Sequence, residues 1–585
     1  MALRVAATTL LLLGALTACG GGGGSGSSAA SATSPTATAR PISRAEAFSF
    51  LNQASFGATE STADRLISLG DSNTAYARWI DLEIAKPASL LLPTVEAAVP
   101  NPTPTGFVIG SLNATRQEAW FTNVLRGDDQ LRQRVAFALS EIFVVSQVGA
   151  LQNLPFATAS FHDLLARSAF GNYRQLLEDV TLHPAMGIYL SMLGNQRAVT
   201  GTNLRPDENY AREMMQLFSI GLVELNTDGS TRLDSSGQPI PTYNQEIIEG
   251  FARVFTGWKW ACPTGSTCTF ANVRPQLVPT PGYNQIRPMQ LYSEQHETGS
   301  KRVLSNTTIP ANQAGAEDLR LALDNVFNHP NVGPFISKQL IQRLVTSNPS
   351  PQYVRRVAET FNSDSSGQRG NLGAVIRAIL LDPEARSMSS GVSMAYAGKL
   401  KEPLLRLTQF WRAYDAISAS GRLGAGVNFT GGVGAVFGQA QGSSPSVFNF
   451  FSPFYAPPGE IAESARVAPE MQIATEYLNT QITNFFWTQA SARTQTQAAS
   501  LNPDLMFINT GEELALAATT DALIDRVAKR LFGSADAISP ALRAEVLAQI
   551  DRTAVPTTNP ANALATRTAD AIYLLVTSSE FALQR

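Results

Sequence analysis

Helical periodicity extends over nearly all of the chain from Ile42 onward, and it restricts the fold more than any other feature of the sequence. In the run DDQLRQRVAFALSEIFVVS, apolar side chains recur every three or four residues, which predicts an amphipathic helix with one buried stripe. The apolar positions of this run are Leu131, Val135, Leu139, Ile142 and Val145. Similar runs include YVRRVAETF, KLKEPLLRLTQFWRAYDAI and ATRTADAIYLLVTSSEFAL. The pattern predicts a protein built mostly of helices.

Strand signals are scarce, and the best one is a short hairpin. Val223–Leu225 and Thr231–Leu233 flank a turn that contains Asp228-Gly229, a dipeptide typical of tight hairpin turns. Neither a repeat of fixed period nor an internal linker divides the body of the chain. We therefore predict a mainly α fold, a single large multi-helix globular domain over residues 42–585 with a small β-hairpin insertion.

Composition excludes some classes of partner. The 585 residues are 44% hydrophobic and only 16% charged, which is typical of a globular body rather than a disordered one. The formal net charge of −3 and the absence of a basic run with interleaved aromatic residues give no reason to expect a polyanion. We expect no binding of nucleic acid.

The first 18 residues are typical of a targeting segment. MALR supplies a positive start, and the apolar run from Val5 to Ala18 is too short to remain as a membrane span. The sequence Leu16-Thr17-Ala18-Cys19 resembles a bacterial lipobox, in which the cysteine becomes the acylated first residue of the mature protein. A plain signal peptide that is cleaved after Ala18 is the alternative.

Residues 19–41 follow as a Gly/Ser/Thr/Pro-rich tether, which favours lipidation because such a coil can hold a domain away from a membrane surface. Gly20, rather than Asp, follows the cysteine, and this indicates the outer membrane of a Gram-negative envelope. We expect an outer-membrane lipoprotein that is attached to the membrane through its N-terminal lipid and faces the periplasm or the cell surface.

Two further cysteines, Cys262 and Cys268, remain if Cys19 is acylated. The five residues between them include Pro and Gly, so a turn can bring the two Cα atoms into bonding range. In an oxidising periplasm this spacing predicts a disulfide. Two ligands of a metal site are the alternative, but no histidine lies nearby in the sequence to complete such a site.

The stretch from Asp207 to Trp258 combines a helix that starts DENYARE, a hairpin, and a second helix that ends in Thr-Gly-Trp. It closely resembles the signature of DUF1800, a bacterial family of unknown function. The resemblance extends to five further stretches, which are LRQRVAFALSEIFVVS, HPAMGIYL, HETGSKRVL, HPNVGPFISKQLIQRLV and SPSVFNFFSPFYAPPG. The common form of the signature reads nearer to NENYARELLELHTLG, so this chain departs from it with Asp207 for Asn and Phe218 for His.

The DENYARE helix supplies the first candidate site residues, Glu208, Arg212 and Glu213. Glu208 and Glu213 offer a general base or metal ligands, and Arg212 offers a cation for an anionic group. The alternative is a solvated helix start, because Glu208 and Arg212 have the spacing of an ordinary surface ion pair.

The HETGSK element supplies His296 and Lys301, an imidazole and a cation around a glycine turn. A polar surface turn is the alternative. We expect these two residues to form one polar cleft with the DENYARE helix and Glu246. The other histidines, His162, His183 and His329, we interpret as structural.

Familiar catalytic motifs do not occur. HExxH, GxSxG and CxxCH are absent from the sequence, so no zinc, nucleophile-elbow or c-type haem chemistry is indicated, and metal and cofactor use stay unassigned. Two functions remain. One is a hydrolase-like enzyme with a polar cleft, and the other is a non-catalytic scaffold or binding partner for a secreted sulfatase-like protein of the kind often encoded beside this family.

Overall fold

The computed structural model describes residues 39–277, 282–386, 398–424, 431–491, 500 and 502–584. The predicted signal peptide and Cys19 lie outside these residues. About half of the chain, 51%, is helical, with 25 helices and three small two-stranded sheets in the described part. The prediction of a mainly α fold with a small β-hairpin is confirmed. A compact unit begins at Arg40 and continues to the C-terminus.

Ten helices precede the hairpin, and they are α1 (Arg44–Ala54), α2 (Glu60–Ser68), α3 (Ala75–Ile84), α4 (Leu92–Ala97), α5 (Leu112–Arg126), α6 (Gln130–Ser140), α7 (Pro155–Ser168), α8 (Tyr173–Leu182), α9 (Pro184–Tyr189) and α10 (Asn209–Gln216). The next ten are α11 (Gln245–Val254), α12 (Gly315–Phe327), α13 (Val332–Leu344), α14 (Pro351–Asn362), α15 (Leu372–Leu381), α16 (Pro383–Arg386), α17 (Pro403–Ala413), α18 (Val433–Phe437), α19 (Glu460–Glu463) and α20 (Glu476–Ser491). The last five are α21 (Gly511–Leu516), α22 (Thr520–Phe532), α23 (Pro540–Asp551), α24 (Ala561–Thr577) and α25 (Ser579–Ala582).

The sheets are antiparallel pairs of two-residue strands. They join β1 (Trp258–Lys259) to β2 (Gln290–Leu291), β3 (Lys301–Arg302) to β4 (Thr308–Ile309), and β5 (Lys399–Leu400) to β6 (Leu583–Gln584). The predicted hairpin forms with the isolated bridge Leu225–Thr231, and the chain then returns once more through the bridges Leu233–Pro239 and Val223–Pro241. The hairpin is therefore the first part of a small three-segment meander.

Capping side chains explain where several helices begin. Ser43 and Glu46 form a reciprocal capping box at α1, and Asn244 accepts a hydrogen bond from the backbone N–H of Ile247 at α11. Such bonds satisfy N–H groups that have no partner within the helix. The sequence thus sets the entry of α11, the helix that follows the meander and packs against α10 and β3.

Helix α6 differs from the single buried stripe that we predicted. Every residue from Gln130 to Leu139 is buried, and the helix ends at Ser140, so Ile142 and Val145 are buried beyond its end. The reason is that α6 lies between two hydrophobic cores. Leu131, Val135 and Leu139 pack in one core with α1–α3 and α7–α16, whereas Phe137 packs in the other with α5, α17 and the C-terminal helices.

Cys262 and Cys268 form the predicted disulfide, with their Cα atoms 5.6 Å apart. The bridge closes a short loop after β1, so it constrains that loop rather than the fold as a whole. No helix within the described ranges combines the length and the apolar character that crossing a bilayer requires.

Candidate functional site

The DENYARE helix places Glu208 and Arg212 at the surface. The Arg212 Nη2 group lies 3.1 Å from Glu208 Oε2, and the two side chains are 42% and 34% exposed, respectively. Gln245 Nε2 donates a second hydrogen bond to Glu208 Oε1 at 2.9 Å. Partly exposed ion pairs of this kind contribute a few tenths of a kcal/mol, roughly 0.3–0.5 kcal/mol for i,i+4 pairs in helices.

Glu213 lies on the buried side of the same helix. Burial raises the pKa of its carboxyl, and the nearby Arg212 partly offsets this. Within the described residues, neither Glu213 Oε2 nor the neighbouring Tyr243 hydroxyl has a hydrogen-bond partner. Glu246 is exposed in the first turn of α11, where a carboxylate favours the helix dipole.

His296 and Lys301 meet deep in the protein at a carboxylate that the sequence analysis missed. Asp318 Oδ2 lies 2.9 Å from His296 Nε2 and 2.6 Å from Lys301 Nζ, and all three side chains are at most 3% exposed. His296 Nδ1 lies 2.9 Å from the carbonyl oxygen of Thr256, and Lys301 Nζ donates to the carbonyl of Gly299 at 2.9 Å. We call His296, Lys301 and Asp318 the α12 cluster.

A glycine in α11 makes this cluster possible. A Cβ at Gly250 would lie 1.7 Å from the carbonyl oxygen of Arg302, so only glycine lets α11 pack directly against β3. Strand β3 carries Lys301 into the core beside Asp318. Gly250, one of the glycines of the Asp207–Trp258 stretch, therefore has a packing role, which the sequence pattern alone did not reveal.

Four of the six predicted site residues thus form two groups, and Glu213 and Glu246 belong to neither. His296 and Lys301 come together in the α12 cluster, and Glu208 and Arg212 form a surface pair. Among the hydrogen bonds and ion pairs of the described residues, none links the two groups. The single polar cleft that we expected from them stays a prediction.

The structure also contains a cavity of about 590 Å³, which we call the main cavity, and none of the predicted site residues lines it. Its walls come from the end of α6, the end of α10, the meander, one face of α13 and the segment 447–454. Four of the six stretches that carry the family resemblance contribute to these walls. The lining residues of this main cavity are Glu141, Ile142, Gln216, Leu217, Gly221, Leu222, Val223, Leu225, Gly229, Thr231, Phe335, Lys338, Gln339, Gln342, Arg343, Val447, Phe448, Ser452, Pro453 and Phe454.

Glu141 is the acid at the inner wall of the main cavity. It is the C-cap residue of α6, where the negative end of the helix dipole disfavours a second negative charge. Asn449 Nδ2 and Gln439 Nε2 donate to Glu141 Oε1 at 3.2 Å and 3.4 Å. Arg343 Nε approaches Oε2 at 3.5 Å without forming a hydrogen bond.

A second carboxyl, Glu402, interacts with Glu141. Burial, followed by the charge of Glu402, raises the pKa of Glu141 to about 8. For Glu402, burial is outweighed by the positive charges of Lys399 and Arg134, which lower the pKa of its carboxyl. The pair is therefore a proton-bearing Glu141 beside an ionised Glu402, and Gln439 Nε2 also donates to Glu402 Oε2 at 2.7 Å.

The ionised partner is held in place by a buried network. Lys399 Nζ lies 3.7 Å from Glu402 Oε1 and 2.9 Å from Glu470 Oε1, and all three side chains are at most 2% exposed. Lys399 also donates to the backbone carbonyls of Gln342 and Arg343, both at 2.9 Å. We call Glu141, Glu402, Lys399, Glu470 and Arg343 the α6 cluster.

Several buried polar atoms in the walls of the main cavity lack a hydrogen-bond partner within the described part of the chain. They are Gln339 Nε2, Gln342 Oε1 and Arg343 Nε. An unpaired buried polar atom costs about 1–3 kcal/mol, so a cluster of such atoms beside a cavity is a typical mark of a ligand site. The α12 cluster uses its charges internally, whereas the α6 cluster has groups left for a ligand.

Glu141 also borders a second, small cavity of about 30 Å³, which Arg116 and His162 line on its far side. Gln441 accepts a hydrogen bond from Arg116 Nη1 and donates one to His162 Nδ1 at 3.0 Å. Burial and then Arg116 lower the pKa of His162 to about 3, so the imidazole is neutral. This agrees with the structural interpretation of His162.

The sequence analysis did not single out Glu141, although it lies in a stretch that we matched to the family. A carboxylate within the apolar run ALSEIFVVS was the available signal, since burial of a lone acid is costly. No group of three or more His, Cys, Asp or Glu side chains in the described ranges is arranged to hold a metal ion.

Comparison with known proteins gives one match. Residues 49–583 match the family described as "Protein of unknown function (DUF1800)". No curated protein and no solved structure matches the chain. Because the match spans nearly all of the described chain, the protein belongs to the DUF1800 family.

Proposed function

We propose that the protein is a lipid-anchored enzyme of the bacterial cell envelope, with a hydrolase-like activity in which Glu141 donates a proton inside the main cavity. The observation that carries this proposal is the Glu141–Glu402 pair, whose pKa values are displaced in opposite directions beside an open cavity. Displaced pairs of this kind are typical of acid–base catalytic sites.

Glu141 meets the requirements of a general acid. Its pKa of about 8 keeps the proton in place at neutral pH, yet close enough to the working pH for transfer to a substrate. Glu402 does not line the cavity, so we assign it a positioning role. Its negative charge holds the proton on Glu141, and Gln439 fixes the two carboxyl groups relative to each other.

In the hydrolysis step, the bond to the leaving group breaks while Glu141 transfers its proton to the leaving atom. Water adds its hydroxyl group to the substrate, and the proton that water releases restores Glu141. Gln339, Gln342 and Arg343 supply donors and an acceptor that can orient the polar part of the substrate. Orientation of this kind lowers the barrier because the reacting groups are already in place.

The test is hydrolysis of a panel of chromogenic esters, glycosides, phosphates and amides by wild-type protein and Glu141→Gln. We expect the variant to lose at least about 100-fold in kcat/KM, the usual contribution of a general acid. The matched control is Glu359→Gln on the exposed surface of α14, which should keep the wild-type rate. Equal rates for wild type and Glu141→Gln on every substrate that is turned over would overturn the proposal.

The anchor is tested separately. Labelling of cells with a clickable fatty acid should mark the wild type and leave Cys19→Ser unmarked, because Cys19 is the only acceptor that the proposal allows. Unlabelled, unanchored wild-type protein would contradict the anchor and leave the catalytic proposal standing. If no substrate is turned over at all, co-purification with a secreted sulfatase-like protein becomes the expected result, because the scaffold hypothesis then replaces the enzyme.

A further inference from the structure

Lys338 is a cation without a counter-ion in the main cavity. No carboxylate in the described ranges lies within 4.0 Å of its ammonium group, although 28 such ion pairs occur there in total. Burial lowers the pKa of Lys338, and no nearby charge offsets this. A partly buried ammonium group that lines a cavity without a partner favours an anionic ligand.

The walls around Lys338 are mostly apolar. Leu217, Val223, Leu225, Phe335 and Val447 line the cavity together with the stem of Lys338, which lies against Gly229 of the meander. At about 25 cal/mol per Å² of buried apolar surface, walls of this kind stabilise a hydrocarbon portion of a ligand rather than a sugar or a free ion.

The rim of the main cavity is also apolar. Leu222, Phe448 and Phe454 are 57%, 55% and 61% exposed, and all three line the cavity. Large apolar side chains that are this exposed and this close together mark a place where apolar material enters. The apolar surface thus continues from the solvent to the interior wall.

We infer that the main cavity binds an anionic amphiphile, a molecule with a hydrocarbon chain and a carboxylate or phosphate group that pairs with Lys338. The inference rests on the cavity of the proposed function and names its substrate class. The hydrocarbon chain lies along Phe335, Leu225 and the rim, and the anionic group lies at the Lys338 ammonium.

Helix α13 sets the spacing between this cation and the acid. Phe335, Lys338, Gln339, Gln342 and Arg343 share one face of the helix, because they follow each other at intervals of three and four residues. Arg343 Nε lies 3.5 Å from Glu141 Oε2, and Lys338 lies five positions earlier in the helix, about 7.5 Å along its axis.

The experiment measures displacement of the fluorescent probe 1-anilinonaphthalene-8-sulfonate by dodecanoate, dodecyl phosphate and dodecanol. Wild-type protein should bind at least one of the two anionic compounds about tenfold or more tightly than the alcohol. The preferred anion then identifies a carboxylate or a phosphate as the head group. Acetate and inorganic phosphate, which lack the chain, should not compete.

Three variants complete the test. Lys338→Gln should remove the preference for the anion, whereas Lys529→Gln, an exposed lysine on α22, should keep it. Leu225→Trp fills the cavity and should weaken binding of all three dodecyl compounds. Glu141→Gln is measured in both the binding and the turnover assay, so that loss of binding and loss of catalysis are distinguishable.

Equal affinity for dodecanol and both anions, an unchanged preference in Lys338→Gln, or competition by acetate and phosphate alone would each overturn the inference. If Glu141→Gln abolishes turnover while the wild type shows none of these preferences, the ligand class is wrong and the proposed function stands. If the preferences hold but Glu141→Gln retains full turnover, the proposed function is wrong and the ligand class stands.

Discussion

The α12 and α6 clusters both bury charged side chains, but they use them differently. In the α12 cluster a single carboxylate, Asp318, contacts both His296 and Lys301, and backbone carbonyls accept the remaining hydrogen bonds. In the α6 cluster, Arg343 Nε lacks a hydrogen-bond partner within the described residues and lies beside a cavity of about 590 Å³. The first arrangement is complete within the protein, and the second has groups left to interact with a ligand.

In this protein the type of a residue indicates a ligand site less well than the hydrogen bonds that the residue leaves unmade. His296 and Lys301 are the more reactive residue types, yet they are fully engaged. Glu141 is one carboxyl in an apolar stretch, yet burial and Glu402 shift its pKa into the range of a working acid. The comparison predicts opposite responses to substitution in the two clusters.

The largest effect is expected for Asp318→Asn. Removal of this charge leaves the Lys301 ammonium buried without a counter-ion, so we expect a loss of about 3–5 kcal/mol in the free energy of unfolding. Urea unfolding measures it, and Asp324→Asn is the control on the same helix. Asp324 pairs with arginines at the surface, so that variant should lose less than about 1 kcal/mol. Equal losses would contradict a sealed, structural α12 cluster.

Two of the three carboxyls of the α6 cluster, Glu141 and Glu402, should also differ in their effect on stability. Glu402→Gln removes the ionised partner of Lys399 and Arg134, and we expect it to cost about 3 kcal/mol, since Lys399 still has Glu470. Glu141→Gln replaces a group that is already neutral at pH 7, so its cost should stay below about 1 kcal/mol. A larger loss for Glu141→Gln than for Glu402→Gln would reverse the assignment of the proton.

The pH dependence of stability should also differ between the wild type and Glu141→Gln. The pKa of Glu141 rises from 4.5 to about 8 on folding. The contribution of this carboxyl to the free energy of unfolding is therefore fully present below pH 4.5 and is lost as the pH rises to about 8. Between these two pH values, the free energy of unfolding of the wild type should fall, relative to that of Glu141→Gln, by up to about 1 kcal/mol per pH unit. Urea unfolding of both proteins at pH 5.5, 6.5 and 7.5 tests it, and parallel curves would contradict the raised pKa.

The smallest effect is expected for Gly221→Ala, in the wall of the main cavity. Gly221 has a φ of +72°, and a Cβ there would lie 2.7 Å from the ring of Phe335. Gly237 has a similar φ of +80° with nothing within 4 Å of such a Cβ. Backbone strain destabilises both alanine variants to a similar extent. Gly221→Ala should therefore lose about 1 kcal/mol more stability than Gly237→Ala, because its Cβ also contacts Phe335. Thermal unfolding compares the two variants, and equal costs would show that Phe335 moves freely.

The fold was largely predictable because it depends on local patterns. Periodicity of apolar residues indicates helices, Asp228-Gly229 indicates a turn, and the spacing of Cys262 and Cys268 indicates a disulfide. Each of these signals lies within a few residues of the structure that it predicts. The depth of burial of α6 was not predictable in this way, because it depends on two cores whose members are hundreds of residues apart.

The candidate site was predictable only in part for the same reason. His296 and Lys301 are five residues apart and meet in the structure, but Asp318 was hidden in a helix where an acid in the first turn is ordinary. Glu141 owes its raised pKa to burial and then to the charge of Glu402, which is 261 residues away in the chain. No local pattern reports such a pair, since the contact exists only after both cores have formed.

Infrared difference spectroscopy can detect the proton that we assign to Glu141 at neutral pH. The carbonyl stretch of a protonated carboxylic acid is absent from a carboxylate, so the two forms are distinguishable in the folded protein. We predict that wild-type protein shows this band at pH 7, that it disappears as the pH rises through about 8, and that Glu141→Gln lacks it. A wild-type spectrum at pH 7 that does not differ from that of Glu141→Gln in this band would contradict the account.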